Sequence, residues 1–439
     1  MTTESLTVRF IPQLKAVYAW LIQRFREQSR PIQFTSVCLA LMLVGGVVLR
    51  VIGYANPPWF TFDEELFIKN AHAYLMRTPD INDHPPFGKM IQTLGLLALG
   101  YNSTGWRFMS VVFGVFTIVL AGMLGQSMFN SKRAGWFAAA FIAADGLFLS
   151  YSRTGLLDGL LVCFVLWAML AATSARSWFG VLLSAVLVGL ATTIKWSGVM
   201  TVVPAAIAIM MLGRVHWLHV LLFAVVPLVH ALVWMWGLNI TGQAHDIGSL
   251  GKLMLSLYRH HLDMSKHRNE LASPWYSWIY MYHPIVVKLS SHGWVNRYSS
   301  SLSNLVFVYA GIAGLALLSV GVAIVSSSRK VAGKLGSWYT PELGNGILVA
   351  VVGWCAMLAP WTVARKGYVF HYHYMPSFAF LVLLLAGFFA HIERKKAIFA
   401  AIFVGLACAV AVFYAPVWAE IPISEKHAHW RLIWRLWRP

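Results

Sequence analysis

Charged residues are scarce in this chain of 439 residues: they make up 11% of the sequence, whereas hydrophobic residues make up 59%. Soluble domains carry about 25% charged residues, so this composition argues against a soluble fold. The apolar residues fall in runs long enough to cross a bilayer, for which a helix needs roughly 20 residues. Backbone polar groups find no water in lipid, so such runs are expected to be helical. The sequence therefore predicts an all-α polytopic membrane protein.

Features of several other protein classes are missing. The four cysteines, Cys38, Cys163, Cys355 and Cys408, lie in apolar stretches without paired spacing, which predicts neither a disulfide framework nor a zinc site. No Gly-rich phosphate loop lies between a strand and a helix, so no nucleotide site is expected. The formal charge of +18 comes from basic residues that flank apolar runs. This position indicates membrane topology, and no nucleic-acid partner is expected.

The hydrophobic runs predict about eleven transmembrane helices. They span approximately residues 34–55, 106–129, 134–151, 156–174, 177–194, 197–213, 216–238, 303–326, 346–364, 370–391 and 397–415. A basic amphipathic segment, residues 1–33, precedes this transmembrane domain of residues 34–415, and the positive-inside rule predicts that it is cytoplasmic. Two long loops, at about residues 55–105 and 239–301, are then expected on the outer face. Residues 416–439 alternate basic and aromatic side chains, which indicates an interfacial tail on that face.

Carboxylates cluster just beyond the first span. Only 16 residues are acidic, and three of them are adjacent at Asp63, Glu64 and Glu65. Adjacent carboxylates repel one another, and partial burial raises the pKa of at least one, which suits a general base. A solvated helix N-terminus favours the same residues. Both interpretations stay open on this triplet alone.

The second motif is Asp83-His84-Pro85-Pro86-Phe87-Gly88-Lys89. Two prolines fix the backbone and the glycine permits a tight turn, an arrangement that can direct His84 and Lys89 towards an anion. An ordinary surface turn ahead of a helix has the same composition.

Ionisable residues also lie at the outer ends of the predicted spans: Arg107, Arg153, Asp158 and Lys195. Such residues are costly in a membrane and indicate function by default, although any one of them also fits snorkelling to headgroups. Several cations on the face that carries the acidic cluster suit binding of a lipid phosphate.

Two stretches rich in aromatic residues and histidine complete the candidates. They run from Ser273 to Trp278 and from Phe370 to Pro376. Their side chains can stack on a sugar ring, although Trp and Tyr also anchor membrane interfaces. His371 and His373 are two positions apart and do not converge on one metal if the segment is helical, so no metal site is predicted.

Taken in order and spacing, these motifs resemble the protein O-mannosyltransferases of the glycosyltransferase C superfamily. The resemblance covers most of residues 34–390. It rests on the motifs Phe62-Asp63-Glu64, Asp83 to Lys89, Gly105-Trp106-Arg107, Asp145-Gly146, Ser152-Arg153, Leu156-Leu157-Asp158, Gly189-Leu190-Ala191, Lys195-Trp196-Ser197-Gly198, Ser273-Pro274-Trp275 to Trp278, and His283-Pro284.

The resemblance implies the glycosyltransferase C fold, and inverting transfer of mannose from a polyprenyl-phosphate carrier to Ser or Thr hydroxyls at the outer face. It makes Asp63 the catalytic base, with Glu64 beside it. Candidates for the lipid phosphate are Arg153, Lys89, Arg107, Lys195 and His84. Candidates for the sugar pocket are Asp83, Asp158, Trp275, Trp278, His371 and Tyr374. No cofactor is required, although a divalent cation near Asp63 and Glu64 is compatible with the motifs.

Two departures from the eukaryotic enzymes favour the bacterial branch and an inner-membrane location. The 239–301 loop is too short for their β-trefoil domain, and Leu66 and Phe67 follow the Asp-Glu pair where those enzymes tend to have histidine. The acceptor stays open between proteins, lipids and glycans. One alternative is transfer of another sugar, such as aminoarabinose, to lipid A or an envelope glycan. A lipid transporter or flippase is less favoured, because no repeat is evident and the charges gather on one face.

Overall fold

The computed structural model describes residues 19, 23–80, 83–212, 216–243, 246–264, 269–292, 295–327, 340–364 and 369–432. Most of the predicted cytoplasmic segment, residues 1–33, and the last seven residues of the predicted interfacial tail lie outside this described part.

Helices occupy every predicted span. In chain order the elements are α1 (Arg30–Val51), α2 (Glu64–Met76), α3 (Pro86–Leu99), α4 (Ser103–Phe129), α5 (Lys132–Ala143), α6 (Gly146–Tyr151), α7 (Asp158–Thr173), α8 (Trp178–Ile194), α9 (Val202–Leu212), α10 (Leu221–Ile240), α11 (Ile247–Met264), α12 (Trp275–Ile279), β1 (Val286–His292), β2 (Val295–Ser300), α13 (Leu305–Ser327), α14 (Pro341–Val363), α15 (Met375–Lys395), α16 (Ala397–Trp418), β3 (Ile423–Ser424) and α17 (Glu425–Arg431). Short 3-10 turns at Trp196–Thr201, His216–Val220 and His371–Tyr374 precede α9, α10 and α15. Six of these helical segments, those of α1, α4, α10, α14, α15 and α16, are long and apolar enough to cross a membrane.

The third predicted span, residues 134–151, is two helices instead of one. α5 ends at Ala143 and α6 begins at Gly146, because Asp145 caps the second helix by accepting hydrogen bonds from the backbone N–H groups of Leu147 (2.9 Å) and Phe148 (3.4 Å). A capping side chain of this kind requires a non-helical backbone at its own position, which interrupts the span.

The two predicted outer loops contain regular structure. The first holds α2 and α3; the second holds α11, α12 and the β1–β2 hairpin. Val286 pairs with Ser300 in this antiparallel hairpin, and Val295 pairs with Ser424 of β3. A small three-stranded sheet, which the all-helical prediction lacks, therefore joins the second loop to the segment that follows α16.

Close helix packing fixes the elements beneath these loops. A Cβ atom added to Gly95 would lie 2.4 Å from the carbonyl oxygen of Gly105, so the small residues let α3 and α4 approach closely. These two helices carry Lys89 and Arg107. α15 is the most buried of the six helical segments that are long and apolar enough to cross a membrane.

Candidate active site

Asp63 lies immediately before α2 and is half-buried. Phe62, which precedes it, has a φ of 52°, a left-handed conformation that is costly for a bulky residue and is often found at functional sites. Among the described residues the Asp63 carboxylate accepts one hydrogen bond, from the Tyr372 hydroxyl at 3.4 Å. Burial raises the pKa of Asp63, whereas Lys195 and the Tyr372 hydrogen bond act in the opposite direction. Asp63 thus has the accessibility and the raised pKa that a general base needs.

Glu64, the next residue, is completely buried and fully engaged. Arg107 binds it in bidentate fashion, with Nε 2.7 Å from Oε1 and Nη2 2.7 Å from Oε2. Thr61 donates to Oε2 from both its backbone N–H and its hydroxyl, each at 2.8 Å, and the Gly155 N–H donates to Oε1 at 2.7 Å. Glu64 therefore holds the start of α2 against α4 and against the turn between α6 and α7.

The two arginines predicted to bind phosphate are engaged by protein acceptors. Beyond Glu64, Arg107 donates to the carbonyl oxygens of Pro57 (2.8 Å) and Trp59 (3.0 Å). Arg153 donates to the carbonyls of Leu49, Ile52 (2.8 Å) and Gly53 (3.0 Å). Arg153 thereby caps the C-terminus of α1, where carbonyl groups lack helical partners and a cation is favourable. Both side chains form part of the scaffold around Asp63.

Lys195 lies beside Asp63 and is paired with Asp158. Its Nζ is 2.9 and 2.8 Å from the two Asp158 carboxylate oxygens, at the junction of α8 and α7. The ammonium also lies 5.3 Å from the centroid of the Tyr372 ring and 6.0 Å from that of Phe67. An ammonium has three protons, so a third remains for an anion once Asp158 has accepted two.

Lys89 is buried in the first turn of α3 and contacts two carboxylates that precede this helix. Its Nζ is 2.6 Å from Asp80 Oδ2 and 3.4 Å from Asp83 Oδ1, and the Asn70 side-chain amide donates to Asp83 Oδ1 at 3.0 Å. Burial alone would raise the pKa of Asp83, but His84 and Lys89 lower it by more. These contacts fix the turn that presents His84.

The His84 ring lies between α2 and α11. Its centroid is 5.4 Å from that of Phe67 and 5.6 Å from that of His261. Burial, assisted by Lys195, lowers the pKa of His84 to about 3, so the imidazole is neutral at pH 7. His261 holds the same turn through a 2.9 Å hydrogen bond between Nε2 and the Asp83 carbonyl oxygen. The sequence does not identify His261 as a candidate, because its contacts with Asp83 and His84 depend on where α11 packs.

His371 and Tyr374 were the predicted candidates in the turn before α15, but the residue of this turn that bonds to Asp63 is Tyr372. A 3-10 helix has three residues per turn, so His371 and Tyr374 share one side of the turn. His371 Nδ1 lies 2.9 Å from Ser301 Oγ, and the Tyr374 hydroxyl accepts a 2.8 Å hydrogen bond from Trp354 Nε1. Tyr372, between them, contacts Asp63. The sequence singles out the stretch from Phe370 to Pro376. It does not show that residues 371–374 form a 3-10 turn, and this geometry is what directs Tyr372 to Asp63.

Trp278, one of the two tryptophan candidates, is linked to Tyr372 through the ring of His373. Trp278 is completely buried, donates to Ser273 Oγ at 2.9 Å, and has its ring centroid 6.3 Å from that of His373. The His373 centroid is in turn 4.6 Å from that of Tyr372. Trp275 is half-buried on the same short helix. Trp278 therefore supports the wall that carries Tyr372.

The helical bundle, which places a half-buried carboxylate beside a lysine and aromatic side chains, has the fold of the membrane glycosyltransferases of the C type. The fold is similar to that of the yeast (Saccharomyces cerevisiae) protein O-mannosyltransferase Pmt1-Pmt2 complex bound to the sugar donor, with a TM-score of 0.74 and 12% identity over 91% of this chain and 92% of that chain. It is also similar to ArnT from Cupriavidus metallidurans bound to undecaprenyl phosphate, with a TM-score of 0.51 and 12% identity over 88% and 73%.

Sequence comparison narrows this class to a family. A model described as dolichyl-phosphate-mannose-protein mannosyltransferase matches residues 83–236, and one described as the C-terminal four TMM region of protein-O-mannosyltransferase matches residues 245–437. The chain belongs to the protein O-mannosyltransferase family, which agrees with the resemblance seen in its motifs.

Curated relatives match over shorter stretches. The polyprenol-phosphate-mannose–protein mannosyltransferase of Mycobacterium tuberculosis is 32% identical over 142 residues, 26% of this chain and 27% of the relative. That of Mycolicibacterium smegmatis is 35% identical over 162 residues, 28% of this chain and 31% of the relative. The matched part thus spans less than a third of the length of either relative.

Proposed function

We propose that this protein is an inverting glycosyltransferase that moves mannose from a polyprenyl-phosphate carrier to Ser or Thr hydroxyls of proteins. Family membership and the names of the mycobacterial relatives support the donor and the acceptor. The observation that carries the proposal is the contrast between two adjacent carboxylates. Glu64 is buried and saturated by donors, whereas Asp63 is half-buried with a single hydrogen bond among the described residues.

Asp63 acts as the general base in this proposal. One of its oxygens takes the proton of the acceptor hydroxyl while the hydroxyl oxygen attacks C1 of the sugar from the face opposite the phosphate. The bond between C1 and the phosphate oxygen breaks, its electron pair stays on that oxygen, and the configuration at C1 inverts. A raised pKa makes Asp63 a stronger base than an exposed carboxylate, provided that it is ionised.

The leaving phosphate gains negative charge during this step. Lys195 supplies a nearby cation with one ammonium proton not used by Asp158, and His84 supplies a neutral hydrogen-bonding group. Fixed donors of this kind stabilise developing charge without reorganisation. Lys89, Arg107 and Arg153 hold the surrounding turns in place.

The remaining candidates shape the cleft. Tyr372 orients Asp63, and Glu64 fixes the start of α2 through Arg107. Asp158 and Asp83 position Lys195 and Lys89, while Trp278, Trp275, His371 and Tyr374 support the wall behind Tyr372. Positioning of this kind lowers the entropic part of the barrier.

A bacterial inner membrane with the site on the periplasmic face is the location that we propose. Basic residues support this orientation, because Arg394 and Lys395 end α15, whereas the turn that begins this helical segment carries Tyr372 and contacts Asp63. The positive-inside rule then puts Asp63 on the outer side.

The test uses the purified full chain in nanodiscs with labelled polyprenyl-phosphate mannose and a Ser/Thr-rich peptide. Labelled peptide formed by wild type and not by Asp63→Asn supports the proposal. Donor binding without peptide labelling, together with transfer to lipid A in a parallel incubation, moves the acceptor to a lipid. Absence of donor binding contradicts the proposal.

A further inference from the structure

α15 and α16 lie side by side and leave a groove at the end of the bundle opposite Asp63. Lys396 forms the connection between the two helices and lies at the mouth of the groove. The volume is about 560 Å³, within the range of about 300–1,000 Å³ typical of small-molecule sites. Apart from Lys396 the lining is entirely apolar.

Phenylalanine rings form a flat floor. The rings of Phe389 and Phe403 are stacked, with centroids 3.6 Å apart and an angle of 9° between their planes. Ile402 and Leu406 line one wall and are 54% and 56% exposed, so the groove opens sideways to the surroundings of the bundle. Flat aromatic and branched aliphatic surfaces of this kind fit a hydrocarbon chain.

The mouth of the groove has an excess of positive charge. Residues 131–133 and 393–396, which meet at this end, contain five basic residues and one acidic residue, Glu393. Glu393 is engaged by Arg133, at 2.6 and 2.7 Å, and Arg394 donates to Ser131 Oγ at 3.2 Å. Lys396 is exposed beside the apolar lining, and it forms no ion pair with the residues that the structure describes.

We propose that this groove binds an anionic phospholipid, with one acyl chain along the stacked rings and the phosphate at Lys396. The apolar lining alone would accept any lipid, whereas the surplus of cations at the mouth favours a headgroup with net negative charge. A second copy of the chain is a poorer occupant, because a twofold contact at this groove would bring two basic ends together. The site lies on the face opposite Asp63 and does not depend on the proposed reaction.

Native mass spectrometry of the full chain in detergent tests the site directly. The protein is titrated with dioleoyl phosphatidylglycerol and, separately, with dioleoyl phosphatidylcholine. We expect tighter binding of phosphatidylglycerol, and a loss of at least about fivefold in its affinity with Lys396→Glu, since one basic residue near a lipid surface contributes about that factor. Lys288→Glu, the same change at an exposed lysine of β1, is the matched control and should bind as wild type does.

A second variant separates a groove from a charged surface. Ile402→Trp fills the groove without changing charge, and Val412→Trp puts the same ring on an exposed position of α16 away from the lining. Phosphatidylglycerol binding should fall with Ile402→Trp alone, while both variants keep the unfolding midpoint of wild type. Equal binding of the two lipids by wild type overturns the proposal. So does a loss of phosphatidylglycerol binding in Lys288→Glu, or unchanged phosphatidylglycerol binding in Ile402→Trp. Loss of a dimer with Ile402→Trp would assign the groove to a second copy instead.

Discussion

The Tyr372 hydroxyl donates a hydrogen bond to Asp63 Oδ2 at 3.4 Å, across 309 positions of sequence. Asp63 lies in the first predicted outer loop, and Tyr372 belongs to the 3-10 turn that leads into α15. The candidate base thus contacts both a surface element and the most buried of the six helical segments that are long enough to cross a membrane. Its protonation therefore depends on a residue that is remote in sequence.

Replacing Tyr372 by Phe should change the pH dependence of transfer. The hydrogen bond lowers the pKa of Asp63, so its removal raises that pKa. A base works only when deprotonated, so the acid limb of kcat/KM should move to higher pH, and kcat/KM should fall by about fivefold for a lost hydrogen bond of about 1 kcal/mol. Tyr374→Phe, which removes a hydroxyl bonded to Trp354, should leave the acid limb where it is. An acid limb that stays at the wild-type pH in Tyr372→Phe would show that Tyr372 does not affect the pKa of the base.

The Glu64–Arg107 pair should be a stability determinant. Arg107→Met leaves Glu64 buried without its cation, a change that costs about 3–5 kcal/mol in comparable buried pairs. A large drop in the thermal unfolding midpoint is expected. Glu65→Gln, at the next position, removes an exposed pair with Lys69 and should leave the midpoint unchanged. Equal midpoints for the two variants would show that Glu64 is not a tether.

Lys195 should have two separable roles. Lys195→Met leaves Asp158 without its partner and should destabilise the fold, and it should reduce transfer by about 10²-fold if the ammonium stabilises the leaving phosphate. Adding Asp158→Asn removes the uncompensated charge, so the double variant should regain stability without regaining activity. Recovery of both quantities together would limit Lys195 to a structural role.

Glu420 should make stability depend on pH. It is buried just beyond α16, and burial raises its pKa from 4.5 to about 7, with Arg107 and Arg153 opposing that rise. Between these two values the folded state retains a proton that the unfolded state has lost, so stability falls as pH rises from about 4.5 to about 7. Glu420→Gln should abolish that fall when unfolding midpoints are compared at pH 5 and pH 8. Glu425→Gln, at an exposed residue, is the control and should keep the wild-type dependence.

The spans and the motif residues were the predictable part. Runs of about 20 apolar residues leave few alternatives to a membrane helix, so every predicted span coincides with helical structure. The break at Asp145 was not predicted, because a single polar residue does not alter the mean hydropathy of a run. The β1–β2 hairpin was also missed, since short strands in a loop rich in aromatic residues lack a strong period.

The role of each residue in the candidate site was harder to predict than which residues lie near one another. Asp63 and Glu64 are adjacent carboxylates in the sequence, and they differ in the structure because Glu64 is buried and bound by Arg107, Thr61 and Gly155. His371 and Tyr374 were favoured over Tyr372 because the 3-10 period of that turn is not visible in its composition. A cation that is paired with a carboxylate is less available to bind a phosphate. Lys89 pairs with Asp80, and this pair could not be read from the motif because Asp80 lies outside residues 83–89.

Single-turnover mannose transfer by Asp63→Asn, with donor binding measured on the same preparation, tests the central claim most directly. Asn has nearly the shape of Asp but cannot take a proton, so donor binding should be retained while the rate of transfer falls by about 10²–10⁴-fold. Transfer at the wild-type rate, with the donor bound, would contradict the assignment of Asp63 as the base.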